Sequence, residues 1–214
     1  LTMTSSSVAG IGHDGVELHI REANRGGFLR LLTTGSLIDA SLSGTTAATA
    51  SDYISLVADG AIGTGDQAFT INTLNDAVLL LQAGSDASIE QLGGDLNVQR
   101  ALTGGDLELT VPQNLIVGDI DAGGTVKLKV GGNVSDFAND DGDPSADITA
   151  AAMELDVTGN FGTTGARIEI DLGAGLIGTV GGTFFVHDFN IFALGGDLTI
   201  TGAADILSEA SMLG

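Results

Sequence analysis

The feature that most restricts this chain is self-similarity at long range. The segment Gly26-Gly27-Phe28-Leu29-Arg30-Leu31, moved by 97 positions, falls on Gly123-Gly124-Thr125-Val126-Lys127-Leu128. The glycine pair, the central leucine, a later glycine (Gly35 and Gly132) and an aspartate (Asp39 and Asp136) are identical. A weaker third copy begins at Gly195-Gly196, with Leu198, Ile200 and Ile206 in matching places. A second frame is carried by Ile11-Gly12, Ile62-Gly63 and Phe161-Gly162. Each is followed by an apolar pair: Leu18 and Ile20, Phe69 and Ile71, Ile168 and Ile170. The last two frames lie 99 positions apart rather than 97, so two residues enter between Asp136 and Met153, in an Asp-rich stretch. Such recurrence implies modules stacked on one another, each burying its apolar side against the next.

Within the modules the period is two. Leu107-Glu108-Leu109, Val126-Lys127-Leu128-Lys129-Val130, Met153-Glu154-Leu155-Asp156-Val157 and Ile168-Glu169-Ile170 alternate apolar with polar residues. That pattern sends one set of side chains inward and the other into water. Gly93-Gly94, Gly104-Gly105, Gly118-Asp119, Gly159-Asn160, Gly181-Gly182 and Gly195-Gly196 punctuate the segments. Glycine there is expected to supply positive φ at sharp corners. An antiparallel sandwich wants longer strands joined by hairpins. Short strands recurring after variable loops fit a β-solenoid better, because a coil accepts a loop at one corner without disturbing the stack. At roughly 20 residues per rung the chain gives about ten rungs, a rod on the order of 50 Å long. The alanine-rich stretch around Ala150 to Met153 favours helix by propensity. The repeat aligns it with Tyr53-Ile54-Ser55-Leu56, so Met153 to Val157 is read as strand. The longest apolar run, Ala77 to Leu81, fits a buried strand.

Composition narrows the partners. Seven basic residues face 28 acidic ones, for a net charge of −21. The basic residues are scattered, which argues against nucleic acid or an anionic membrane as partner. An acidic surface attracts cations instead. No apolar run approaches the ~20 residues of a membrane-spanning helix. Cysteine is absent, which excludes disulfides and thiol chemistry and fits a bacterial rather than a eukaryotic secreted protein. Residues 1–214 are expected to form one solenoid segment of a longer repetitive protein.

The phrases Gly123-Gly124-Thr125-Val126-Lys127-Leu128-Lys129-Val130-Gly131-Gly132-Asn133-Val134-Ser135-Asp136, Asp147 through Val157, and Ile54 through Thr64 resemble the filamentous haemagglutinin-like large exoproteins of bacteria. The likeness covers most of residues 26–210. It implies a right-handed parallel β-helix, export from the cell, and a role in adhesion or surface fibres. It brings no catalytic residues. That family's secretion domain carries an Asn-Pro motif, which this chain lacks, so a shaft segment is the expectation.

Candidate sites are few. Asp136, Asp140, Asp141, Asp143 and Asp147 surround Gly142 and Pro144. Calcium takes six to eight oxygens from carboxylates and carbonyls on tight turns, so Asp140, Asp141, Asp143 and Asp147 are the candidate calcium ligands. Their spacing matches neither an EF-hand nor a β-roll nonapeptide; a solvated corner loop is the alternative. The Gly-Gly-Asp triplets lack the Gly-Lys-Ser/Thr of a phosphate loop and read as turns. His13, His19 and His187 have no partner at a metal-ligand spacing. Lys127 and Lys129, with Asp119 and Asp121 near them in sequence, are the one feature resembling an acidic-sugar site. The aromatics Phe184, Phe185, Phe189 and Phe192 are expected to stack in the core or cover a rung. No Gly-x-Ser-x-Gly elbow occurs.

The leading expectation is therefore a structural or adhesive shaft, not an enzyme, at a bacterial cell surface or outside the cell. It needs no cofactor, with calcium as the one candidate ion. Its expected partners are other solenoid units end to end, cell-surface glycans, or host and matrix proteins. The alternatives are a calcium-dependent matrix or surface-layer protein and a β-helical polysaccharide lyase or hydrolase.

Overall fold

The computed structural model describes residues 2–5, 9–13, 17–42, 45–64, 66–74, 77–137, 145–189 and 198–208. The chain winds as a parallel β-solenoid, and no helix occurs among the described residues. One coil shows the plan. Leu96–Thr103 runs along one side, Gly104-Gly105-Asp106 turns the corner, and Leu107–Val111 returns along the other side. Pro112-Gln113-Asn114 then leads into Leu115–Ala122, which lies directly on Leu96–Thr103 in parallel register. The coils are flattened, so repetition makes two sheets.

The first sheet runs, in bonded order, Thr2–Ser5, Glu22–Arg25, Ala48–Ala50, Phe69–Thr73, Ala87–Gln91, Leu107–Val111, Thr125–Val130, Ala152–Val157, Leu176–Val180 and Leu198–Ile200. The second runs Ala9–His13, Phe28–Thr33, Tyr53–Ala58, Val78–Ala83, Leu96–Thr103, Leu115–Ala122, Ile148–Ala150, Ile168–Leu172, Phe184–Asp188 and Ala204–Ser208. Val134–Asp136 joins the second sheet beside Leu115–Ala122, and Glu17–Ile20 pairs with Ser36–Asp39. Each path is ten strands deep among the described residues, close to the expected number of rungs.

Alternation decides which residues enter the core. Thr125–Val130 buries Val126, Leu128 and Val130 and exposes Lys127 and Lys129. In parallel register Leu109, Leu128 and Leu155 stack coil upon coil. Leu31, Ile62, Leu128 and Phe161 are each 0–1% exposed within one continuous core. A fully buried aliphatic side chain contributes about 1.5–3 kcal/mol, and here each contributes against two neighbouring coils. Met153 to Val157 is strand, as the repeat demands, within Ala152–Val157. Tertiary stacking overrides the helical propensity of the alanines.

The Ala77 to Leu81 run is buried on one side only. Ala77, Leu79 and Leu81 face the core, while Val78 and Leu80 are half-buried on the outer face. An apolar run cannot turn both faces of a strand into a core that lies on one side.

The corners correct the expectation for glycine. Of the corner glycines at 93–94, 104–105, 118, 159 and 181–182, Gly94 alone has a positive φ, 75°. Gly195 and Gly196 lie outside the described residues. The general reason is close approach between coils. At one set of corners Asn114 accepts at Oδ1 from the backbone N–H of Asn133 at 2.9 Å, and Asn133 Oδ1 accepts from Asn160 N–H at 2.9 Å. Asp95 Oδ1 precedes them in the ladder, and Thr183 N–H ends it on Asn160 Oδ1 at 2.8 Å. At the opposite corners Asp86 Oδ1 accepts from Asp106 N–H and Asp106 Oδ1 from Thr125 N–H, at 2.9 and 2.7 Å. Except at Asp95, where Gln113 holds the station, each ladder oxygen occupies the space beside the glycine of the next coil. A Cβ on Gly132 would meet Asn114 Oδ1 at 2.5 Å.

The two long repeats exchange the sheets. Phe28–Thr33 belongs to the second sheet, and its counterpart Thr125–Val130 to the first. The intervening chain makes an odd number of half-coils, so the copy emerges on the opposite side. Local details follow the swap. Gly63 N–H donates to Leu37 O and Gly162 N–H to Val134 O, both at 2.9 Å. Their φ values are 67° and 70°. Thr64 with Gln67, and Thr163 with Ala166, form matching antiparallel bridges.

Candidate functional site

Among the described residues, a buried cluster of three carboxylates sits where the second-sheet strand is interrupted. In its coil the second-sheet strand is split. Val134–Asp136 pairs with the first half of Leu115–Ala122, and Ile148–Ala150 pairs with the second half. The break brings the residues that flank it together. Asp136 ends the first piece and Asp147 immediately precedes the second. Glu169 lies on the next coil, in register beside Asp147 (Ile148 pairs with Ile170). One carboxylate oxygen from each of Asp136, Asp147 and Glu169 lies within 4.8 Å of the others. Asp136 and Glu169 are buried, at 8% and 2% exposure, and Asp147 is half-buried.

The electrostatics follow from that crowding. Asp147 Oδ2 accepts a hydrogen bond from the backbone N–H of Glu169 at 2.9 Å, which favours its ionised form. Loss of water outweighs this, and the neighbouring carboxylates of Glu169 and Asp136 add to it, so the Asp147 carboxyl is pushed from 3.8 up to about 9. At neutral pH it holds a proton. His187 Nδ1 lies 3.9 Å from Glu169 Oε1, on the far side of the cluster. A group of this kind has two ways to relieve repulsion: retain a proton or take up a cation.

The other half of the solenoid holds the comparison. Asp39 ends the strand piece Ser36–Asp39 as Asp136 ends its own, and a loop again follows. Ala47 precedes the resumed strand where Asp147 does in the copy, and Thr70 stands where Glu169 stands. Asp39, 3% exposed, accepts at Oδ2 from Thr70 N–H at 2.9 Å and from Thr70 Oγ1–H at 2.5 Å. Ser41 N–H donates to its Oδ1 at 2.7 Å. One acid answered by donors in one half becomes three acids in the other.

Of the calcium candidates read from sequence, Asp147 is in this cluster; Asp140, Asp141 and Asp143 lie outside the described residues. Glu169 was missed. Its place in an alternating Ile-Glu-Ile segment reads as solvent-facing, yet Asp147 on one neighbouring coil and His187 on the other leave it 2% exposed.

Lys127 and Lys129 stand on the outer face of the first sheet, where Lys127 Nζ lies 3.5 Å from Glu154 Oε2. Asp119 and Asp121 are on the second sheet, facing the other way, and Asp119 is 3.2 Å from Arg100 Nε. Closeness in sequence misleads here because a corner separates the strands. Lys127, Asp86, Asp106 and Glu108 line an open hollow of about 320 Å³. His19 is exposed and hydrogen-bonded to Glu17, His13 lies in Ala9–His13, and Phe192 is outside the described residues. Phe184 is fully buried and stacks on Phe161 with ring centroids 5.4 Å apart; Phe185 is buried and Phe189 half-buried against His187. No family model matches the chain, and neither a curated protein nor a solved structure matches it.

Proposed function

We propose that this chain is a structural, adhesive shaft segment of a secreted or cell-surface bacterial fibre-like protein, of the filamentous haemagglutinin-like kind. The observation that carries this reading is the unbroken parallel stack of coils around one continuous aliphatic core. Such a body is stiff along its axis and presents long regular faces, which suits a spacer or a multivalent surface. On this reading its partners are further solenoid units stacked end to end, cell-surface glycans, and host or matrix proteins. The test is a binding assay with beads coated with the purified chain, on host cells and on a glycan array, beside electron microscopy for rods of about 50 Å. Binding at the level of uncoated beads, with protein found inside the producing cell, overturns the reading.

A calcium-stiffened matrix protein is the second reading, favoured by the Asp136, Asp147 and Glu169 carboxylates within 4.8 Å of one another. These three carboxylates would hold the ion, and binding would displace the proton on Asp147. Melting temperature with excess calcium and with chelator tests it. The reading expects a rise with calcium that grows with pH and is lost in Glu169→Gln; identical melting curves remove it.

A further inference from the structure

The outer face of the second sheet, from Phe28 to Asp121, differs from the rest of the surface. Parallel register sorts its side chains into three columns. The first is Phe28, Tyr53, Val78, Asn97 and Ile116; the second is Arg30, Ser55, Leu80, Arg100 and Asp119; the third is Leu32, Val57, Gln82, Leu102 and Asp121. Phe28 and Tyr53 are stacked at 4.6 Å with ring planes 7° apart. Leu32 is 38% exposed, and Val78 and Leu80 are half-buried with no coil outside them among the described residues. An apolar outer face of this extent marks an interaction surface. Across the molecule, the outer face of the first sheet carries Glu90, Glu108, Glu154 and Asp156 with Lys127 and Lys129. Charge there is dense, whereas on the second-sheet face two arginines and two aspartates cancel.

The order of the charges selects the occupant. Arg30 stands at one end of its column and Asp119 at the other, with Leu80 midway. A two-fold axis parallel to the strands over Val78, Leu80 and Gln82 reverses the coil order and keeps each column facing itself. Arg30 then lies opposite Asp119 of the partner subunit. Phe28 lies opposite Ile116 of the partner subunit, and Val57 opposite the partner's Leu102. Leu80 meets the partner's Leu80 on the axis. Among the described residues Arg30 makes no ion pair within the chain, whereas Asp119 Oδ2 is 3.2 Å from Arg100 Nε, so Arg30 of the partner subunit would share the Asp119 carboxylate with Arg100. For a chain of net charge −21, this face lets two copies meet without like charges in contact.

We propose that two copies of this chain pair side by side and antiparallel through the outer face of the second sheet, from Phe28–Thr33 to Leu115–Ala122. The contact is distinct from end-to-end stacking. Fifteen outward positions fall short of the roughly 20–30 residues a side of a standard interface. The pairing is therefore weak, with a dissociation constant of about 10–1,000 µM, and is aided by salt that screens the overall repulsion.

Sedimentation velocity from about 5 µM to 1 mM at an ionic strength of about 0.15 M tests it. The wild-type chain is expected to pass from monomer to dimer across that range. Leu80→Arg sets two guanidinium groups against each other on the axis, and Arg30→Asp sets a carboxylate against Asp119 of the partner subunit. Each is expected to weaken pairing at least tenfold. Arg30→Asp combined with Asp119→Asn removes the opposed carboxylate and leaves Arg100 to face the introduced one, and is expected to pair at least threefold more tightly than Arg30→Asp alone. The positions face outward, so circular dichroism and melting temperature should match wild type. A chain that stays monomeric at 1 mM, or pairs equally well as Leu80→Arg and Arg30→Asp, overturns the proposal. So does growth into larger oligomers that neither substitution alters.

Discussion

Thr70 and Glu169 hold the same station in the two halves of the solenoid, and they answer a buried aspartate in opposite ways. Thr70 donates two hydrogen bonds to Asp39 Oδ2, from its N–H and its hydroxyl. Glu169 brings a further carboxylate within 4.8 Å of Asp136 and Asp147. Fold and register are shared; two replacements, Ala47 by Asp147 and Thr70 by Glu169, turn one hydrogen-bonded aspartate into a cluster of three carboxylates.

Removing the hydroxyl tests the first case. Thr70→Val keeps the shape and the backbone donor but deprives a nearly fully buried carboxylate of its shortest hydrogen bond. A loss of about 1–3 kcal/mol is expected, measured by urea unfolding. A change under about 0.5 kcal/mol would show that the contact is energetically idle.

The second case is a matter of pH. In the unfolded chain Asp147 titrates near 3.8, and in the folded chain near 9. Between these values the folded state holds a proton that the unfolded state has released, so this group's contribution to stability falls as pH rises through that window and levels off above it. Asp147→Asn mimics the protonated form. It is expected to melt with wild type at about pH 4, and several degrees higher than wild type at pH 8 to 9. Parallel melting curves at both ends would sink this account. On the calcium reading, excess calcium diminishes the difference.

Close approach, rather than positive φ, makes most corner glycines necessary. Gly132→Ala would drive a Cβ to 2.5 Å from Asn114 Oδ1 and break the corner ladder. A cost of about 2–4 kcal/mol is expected. A Cβ on Gly93 meets nothing within 4 Å and its φ is not left-handed. Gly93→Ala should be neutral or stabilise by up to about 1 kcal/mol. Equal costs at the two positions would contradict the steric argument.

The aromatic pair in the core offers a coupling measurement. Phe161 and Phe184 are fully buried on neighbouring coils and stacked. Either one changed to Ala should cost about 3–5 kcal/mol. A double-mutant cycle should return a coupling of about 0.5–1.5 kcal/mol; additive losses would mean the rings do not act as a pair.

Much of the coil was legible before any coordinates. Alternation in Val126-Lys127-Leu128-Lys129-Val130 assigned inside and outside correctly, because successive side chains of any strand point to opposite faces. The unequal offsets of 97 and 99 placed two extra residues between Asp136 and Met153, where the strand is interrupted between Val134–Asp136 and Ile148–Ala150. The Asp-rich insertion singled out Asp136 and Asp147. Glu169 stayed hidden, since its local pattern is that of any solvent-facing residue.

Strand period, inward residues and the existence of a repeating coil were thus fixed by sequence, since they depend on backbone geometry over a few residues. Tertiary structure alone decided which sheet each copy joins, why the corner glycines are needed, that Asp119 and Lys127 face opposite ways, and that Glu169 meets Asp147. Those facts depend on stacking residues from 18 (Ile168 on Val186) to 28 (Ile120 on Ile148) positions apart into neighbouring strands. The spacing changes with every loop, and a loop's length constrains the stack above it only once the coil has closed.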